Sequence, residues 1–250
     1  MPGHWLLARL GKRVLRPGGL ELTRALLSDL AIGSADDVVE LAPGLGVTAR
    51  LLLDQGPRSY RGIERDADAA RWTLRQLPAD HDVDVRVGAA ERTGLADGSA
   101  SVVIGEAMLT MNPQPHKERI VAEAFRLLRP GGRYGVHELA IVPDDAPAEV
   151  RRDIEAALSQ SIHVGARPMI TSQWRALFER AGFVDLKVAF APMHLLEPAR
   201  MLADEGFLRT LLILKNLLLD PEARNRVRAM RQVFRKHGSH LSAISIVGRK

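Results

Sequence analysis

Two glycines, Gly44 and Gly46, sit in the stretch ELAPGLG between the apolar pair Val38–Val39 and the helix-like VTARLLLDQ. A strand-to-helix turn of this kind leaves backbone N–H groups free at the helix start, and a residue without Cβ lets a ligand come close to them. The spacing Gly44-x-Gly46-x-x-Ala49 is that of a nucleotide cradle, and by itself it does not choose among nucleotides. Further on, Glu64 closes the short run GIE. A carboxylate only accepts hydrogen bonds, through two oxygens, and so suits a pair of hydroxyl donors. Groups able to take a proton follow: Glu106 and His116 in GEAMLTMNPQPH, and His137 and Glu138 in RYGVHEL. His137 is favoured, because an imidazole titrates near neutrality and this strand end should face a cleft. Alternation along a strand sends His137 and Glu138 to opposite faces, so one site cannot use both.

These residues all fall at the ends of apolar runs that alternate with helical ones. DVVELA, SYRGIE, DVDVRV, SVVIG and RYGVHEL read as strands. TARLLLDQG, DADAARWTLRQL and KERIVAEAFRLL read as helices, with Asp66 an N-cap of the second. Strands separated by helices of this length imply right-handed crossovers and an α/β, Rossmann-like, doubly wound and mostly parallel sheet. Ligands bind such sheets at the carboxyl ends of the strands, where the strand order reverses. The later chain adds the helix TSQWRALFERAGF and the strands VDLKVAF and LSAISIVGR. No linker or repeat divides it, so residues 1–250 are expected to form one domain, with an N-terminal helical segment at 1–33 and a helical insertion at 193–238. In the insertion, Phe207, Leu208, Leu211, Leu212, Leu214, Leu217 and Leu218 make a helix that is apolar almost all round. Such a helix is expected to cap the cleft as a lid or to pack against a second subunit in a homodimer.

Composition removes several classes of function. The chain has no cysteine, which excludes disulfides, thiolate metal sites and a cysteine nucleophile, and no metal site is expected. A net charge of +5 invites nucleic acid, but only 4% of residues are aromatic, too few for stacking platforms. Six of the 35 basic residues are lysine, which leaves 29 arginines, a bias that fits GC-rich bacterial coding. WLLARLGKRVL is broken by Arg9 and lacks a small-residue cleavage site, so it reads as a docked amphipathic helix in a cytoplasmic protein. The longest apolar stretch, Phe207–Leu219, falls short of the roughly 20 helical residues that cross a bilayer.

ELAPGLG, GIE, VGAAERTGLADGSASVV and AFRLLRPGGRYGVHEL, in this order and each at a strand end, resemble the class I S-adenosylmethionine-dependent methyltransferases, in particular the small-molecule branch of the ubiquinone and menaquinone C-methyltransferases. The resemblance is good over about residues 20–140 and looser over 171–190. It implies seven strands with the last antiparallel, S-adenosyl-L-methionine as cofactor and a small, apolar or aromatic methyl acceptor. Glu40, Ala42, Gly44 and Gly46 match the loop behind the methionine part. Glu64, followed by Arg65, matches the acid that holds the ribose, and Ala89, Ala90 and Glu91 match the adenine motif. Glu106 lies where the methionine ammonium or an acceptor's proton would be met, and His137 and Glu106 are the candidate catalytic residues. Met108, Leu109 and Met111 suggest an apolar wall. Two positions depart from the pattern: Ala42 replaces a usual glycine, and Ala89 replaces the acid that often binds the adenine amino group. Arsenic methylation, known in related families, needs thiols that this chain lacks. Two other readings of the same residues are a nicotinamide-dependent oxidoreductase, which would need a place for a second nucleotide half, and a cofactor-binding protein without turnover.

Overall fold

The computed structural model describes residues 1–78 and 82–250. The chain runs through α1 (Gly3–Arg9), α2 (Gly19–Leu30), β1 (Asp37–Leu41), α3 (Val47–Leu53), β2 (Ser59–Glu64), α4 (Ala67–Gln76), β3 (Val83–Val87), β4 (Ala100–Glu106), α5 (Gln114–Leu127) and β5 (Leu128–Ile141). It continues through α6 (Ala148–Ile162), β6 (Met169–Ile170), α7 (Thr171–Arg180), β7 (Val184–Pro192), α8 (Pro198–Glu205), α9 (Phe207–Leu219), α10 (Pro221–Lys236) and β8 (Leu241–Arg249). The strands form one sheet in the order β3-β2-β1-β4-β5-β8-β7, with β6 beside β5. Pairing is parallel from β3 through β5 and at β6, while β8 runs antiparallel to both β5 and β7. This is the Rossmann-like methyltransferase architecture. Among the described residues it has eight strands where seven were expected, because the two-residue β6 adds a short pairing at Ala140–Ile141.

Successive residues of the central strands feed opposite cores, as the pleat requires. Val38, Val102 and Ile104 pack under Leu26, Leu30 and Leu52 of α2 and α3, while Val39, Val103 and Val136 pack under Ile120, Ala124 and Phe178 of α5 and α7. Each fully buried side chain of this kind contributes about 1.5–3 kcal/mol. Caps fix the helix starts: Asp66 accepts the N–H groups of Asp68 and Ala69, and Asp220 accepts that of Ala223. Helix α6 lies in a region with no sequence assignment, although Val150, Ile154 and Leu158 recur at helical spacing; the last two are buried.

β1 pairs with β2 on one side and β4 on the other, so the strand order reverses there and the chain leaves the two neighbouring strand ends in opposite directions. The turn after β1 needs left-handed backbone at Ala42 (φ 57°), Gly44 (56°) and Gly46 (73°). Glycine adopts this without penalty, whereas alanine pays roughly 1–2 kcal/mol. Ala42→Gly is therefore expected to stabilise the fold by about 0.5 kcal/mol after the roughly 0.5–1 kcal/mol entropic cost of glycine. Scanning calorimetry should register a rise of about 1–2 °C; a fall would show that the strain lies elsewhere.

Candidate active site

A cavity of 310 Å³ opens at the reversal point, at the lower edge of the roughly 300–1,000 Å³ usual for ligand sites. Its floor comes from the strand ends and includes Glu40, Ala42, Gly44, Glu64, Ala90 and Glu106, with Arg65 and Glu91 at its margin. A Cβ built on Gly44 would find only the Ala42 carbonyl, at 3.9 Å, so the space beside this backbone is open. Glu64 is nearly buried and accepts the N–H groups of Gly44 (3.0 Å) and Asp66 (3.1 Å), which joins the β1 turn to the end of β2. Each oxygen thus keeps a second lone pair, and Glu64 lines the cavity.

The roof was not foreseen. His4 and Trp5 of α1, and Arg13, Leu15 and Arg16 of the segment after it, close the cavity from the side opposite the strands. This N-terminal arm is held down by the insertion. Glu205 at the end of α8 accepts the backbone N–H groups of Arg13 and Val14 at 2.9 Å and pairs with the buried Lys12, while Asn216 of α9 donates to the Leu10 carbonyl. Burial lowers the Lys12 pKa despite that partner.

Under the arm lies a buried polar knot. Glu106 accepts from Arg16, Thr48, Thr23 (2.6 Å) and His137 Nδ1 (2.9 Å). Burial by itself would raise its pKa, but the Arg16 guanidinium and the bonds from His137 and Thr23 outweigh it and hold the carboxyl well below the usual range. His137 is fully enclosed, and its Nε2 accepts the N–H of Gly18 at 2.9 Å. With Nδ1–H given to Glu106 and Nε2 occupied, the ring has no nitrogen left for a substrate. In this arrangement neither His137 nor Glu106 offers a free lone pair to a substrate: His137 is off the cavity wall, and Glu106, though on it, has its acceptor capacity taken. Glu138 does point the other way, and it accepts the N–H groups of Met108, Leu109 and Thr110 and the Thr110 hydroxyl, which shapes the loop after β4. His116 sits in the first turn of α5, outside the wall.

Glu40 stands apart. It is buried, takes one hydrogen bond from the Tyr60 hydroxyl (2.6 Å), and burial pushes its pKa up to about 8. A second cavity of 80 Å³ adjoins the first and is walled mainly by apolar side chains, among them Leu7, Leu139, Leu158, Met230 and Phe234. His4, Leu15, Ala107 and Met111 border both cavities.

The family described as a methyltransferase domain matches residues 38–132, from β1 into β5. An uncharacterized protein of Haemophilus influenzae is 31% identical over 99% of this chain and 98% of its own length. The chain carries a methyltransferase domain. An arsenite methyltransferase of Halobacterium salinarum is 26% identical to this methyltransferase over 64% of the chain and 40% of its own length. Among solved structures, the phosphoethanolamine N-methyltransferase 2 of Haemonchus contortus, held with phosphomonomethylethanolamine and S-adenosylhomocysteine, has the same fold: TM-score 0.74, 14% identity, 99% of this chain and 57% of that one.

In this methyltransferase the cofactor-binding residues expected from the sequence line the larger cavity, except two. Gly46 turns away as the N-cap of α3, where a Cβ would stand 3.1 Å from the Thr73 methyl, and Ala89 bridges back to Arg92. Met108 and Met111 line the wall, while Leu109 is core. No residue of helix α9 lines either cavity, and Leu208, Leu218 and Leu219 are exposed. Among the described residues no helix is long and apolar enough to cross a membrane. Arg16, Thr48 and His4 had no local signal, because their place in the site comes from the arm folding back over the sheet.

Proposed function

We propose that this chain moves a methyl group from S-adenosylmethionine to a small, apolar or aromatic acceptor. Glu64 facing the cavity beside the Cβ-free backbone of Gly44 carries the reading, because that pairing suits a ribose diol lying against the turn. The donor set fits the rest of the cofactor. Ile63, Ala90 and Met108 offer apolar contact for adenine, with Glu91 and local backbone standing in for the acid absent at Ala89. Arg16 Nε is enclosed without a partner and suits the methionine carboxylate. Glu40, a buried acid lacking a cation, suits the ammonium, and Glu106 keeps Arg16 in place.

Bound there, the cofactor supplies an electrophilic methyl group with its leaving group built in. The chain's own task is to align the acceptor and exclude water, for which the arm over the cavity and the adjoining apolar cavity are suited. That second cavity also favours the small-molecule branch. The outward leucines of α9 are available for a homodimer contact.

Calorimetry distinguishes the readings. S-adenosylhomocysteine should bind with a micromolar-range heat and NAD(H) with none. The reverse would install the oxidoreductase reading, and cofactor binding without turnover on any hydroxylated, aminated or carbon-acid acceptor would leave a binding protein.

A further inference from the structure

The acceptor's proton needs a destination, and the acids and bases first considered for it are engaged or, as with His116, off the cavity wall. His137 is bonded at both nitrogens, Glu106 holds four donors, and Glu138 holds the loop after β4. Glu40 is taken up by Tyr60 and its own burial. His4 differs. It is one of four residues that border both cavities, and the other three, Leu15, Ala107 and Met111, cannot take a proton. Its Nδ1 is enclosed and has no hydrogen-bond partner among the described residues. An unpartnered buried polar atom is costly unless a ligand completes it.

We infer that His4 is the proton acceptor for methyl transfer to a phenolic or enolic hydroxyl, and that the apolar part of this acceptor enters the smaller cavity. The inference rests on the methyltransferase reading of the larger one. Burial lowers the His4 pKa, so the ring is neutral at neutral pH and free to accept. A neutral imidazole suits an uncharged O–H donor. An ammonium acceptor would need a free carboxylate at the junction, and those nearby are engaged. Phenols and enols give up their proton to an imidazole more readily than aliphatic alcohols, whose pKa lies further above neutrality, and they are the acceptors that best match this base. The smaller cavity, at 80 Å³, is about half the roughly 150 Å³ that encloses a benzene. It therefore takes a short alkyl group, while the ring or enol stands at the junction beside His4. Transfer forms the O–C bond and breaks the C–S bond with its electron pair left on sulfur. The hydroxyl proton passes to a His4 ring nitrogen.

The test needs no turnover. With the protein saturated by S-adenosylhomocysteine, the affinities of 4-propylphenol and propylbenzene are measured by calorimetry for the wild type, His4→Phe and His4→Gln. The wild type should prefer the phenol by about tenfold, the size of one hydrogen bond. His4→Phe should abolish the preference while still binding propylbenzene, and His4→Gln, which retains an acceptor oxygen, should keep part of it. Methylation of the phenol should fall at least 100-fold in both variants. An unchanged preference in His4→Phe, or in His4→Gln if the former does not fold, overturns the assignment. So does failure of the wild type to bind either probe while S-adenosylhomocysteine binds. Failure of S-adenosylhomocysteine itself overturns the methyltransferase reading instead.

Discussion

Glu64→Ala lowers the affinity for S-adenosylhomocysteine by about 100- to 10,000-fold. Two hydrogen bonds from ribose hydroxyls to an ionised carboxylate are worth about 1.5–3 kcal/mol each, and every 1.4 kcal/mol is tenfold in binding. Part of the loss comes through the turn, because Glu64 also accepts the N–H groups of Gly44 and Asp66. Glu64→Gln separates the two contributions: its amide oxygen can still take one bond, so it should fall between wild type and alanine. Isothermal titration reads all three. If alanine binds within tenfold of wild type, the diol is not held here.

The stability of the ligand-free protein should fall between pH 5 and pH 8, and Glu40→Gln should flatten the fall. Burial raises the Glu40 pKa to about 8 from 4.5; the Tyr60 bond and Arg16 act against the rise, and Glu106 and Glu64 add to it. An acid whose folded pKa is raised contributes stability that is complete below its unfolded pKa and is lost as pH climbs through the folded one. At about 1.4 kcal/mol per unit, the gap amounts to at most about 5 kcal/mol, or roughly 10 °C in midpoint for a chain of this size. Glu106 does not contribute in this window: its pKa is depressed, so its stabilisation is lost only as the solution becomes more acidic than the usual carboxylate range. If the ammonium of the cofactor meets Glu40, binding of S-adenosylhomocysteine near pH 6.5 should also release a proton, seen as a dependence of the heat on buffer ionisation enthalpy. Parallel pH–stability curves for wild type and Glu40→Gln would refute the buried-acid account.

Gly44, Glu64 and the caps Asp66 and Asp220 were legible because each acts within a few residues of its own strand or helix: a turn that needs positive φ, an acid at a strand end, a side chain that accepts amides two or three positions on. The alternation that separates His137 from Glu138 was legible for the same reason, since period two is a property of any strand. The availability of His137 was not. Its partners, Gly18, Thr23 and Glu106, come from the N-terminal arm, α2 and β4, and nothing in RYGVHEL announces them. Helix α9 misled in the opposite direction. Its leucines required a partner, and local apolarity cannot say whether that partner is the cleft, another part of the chain or another molecule. Of its hydrophobic side chains only Ile213 is buried, and the helix serves the site indirectly by holding Leu10 and Gly11 of the arm.

The amino-acid sequence alone determined the alternating α/β order, the cradle after β1, the acid that ends β2 and the kinship with the methyltransferases, because these are written in short-range spacing. The tertiary structure decided which groups are free. It placed Arg16 and His4 over the strand ends, closed the lone pairs of Glu106 and His137, and opened an apolar recess behind them. Whether a titratable side chain does chemistry depends on who else reaches its lone pairs and how much water is left around it, and both are set by segments far apart in the chain.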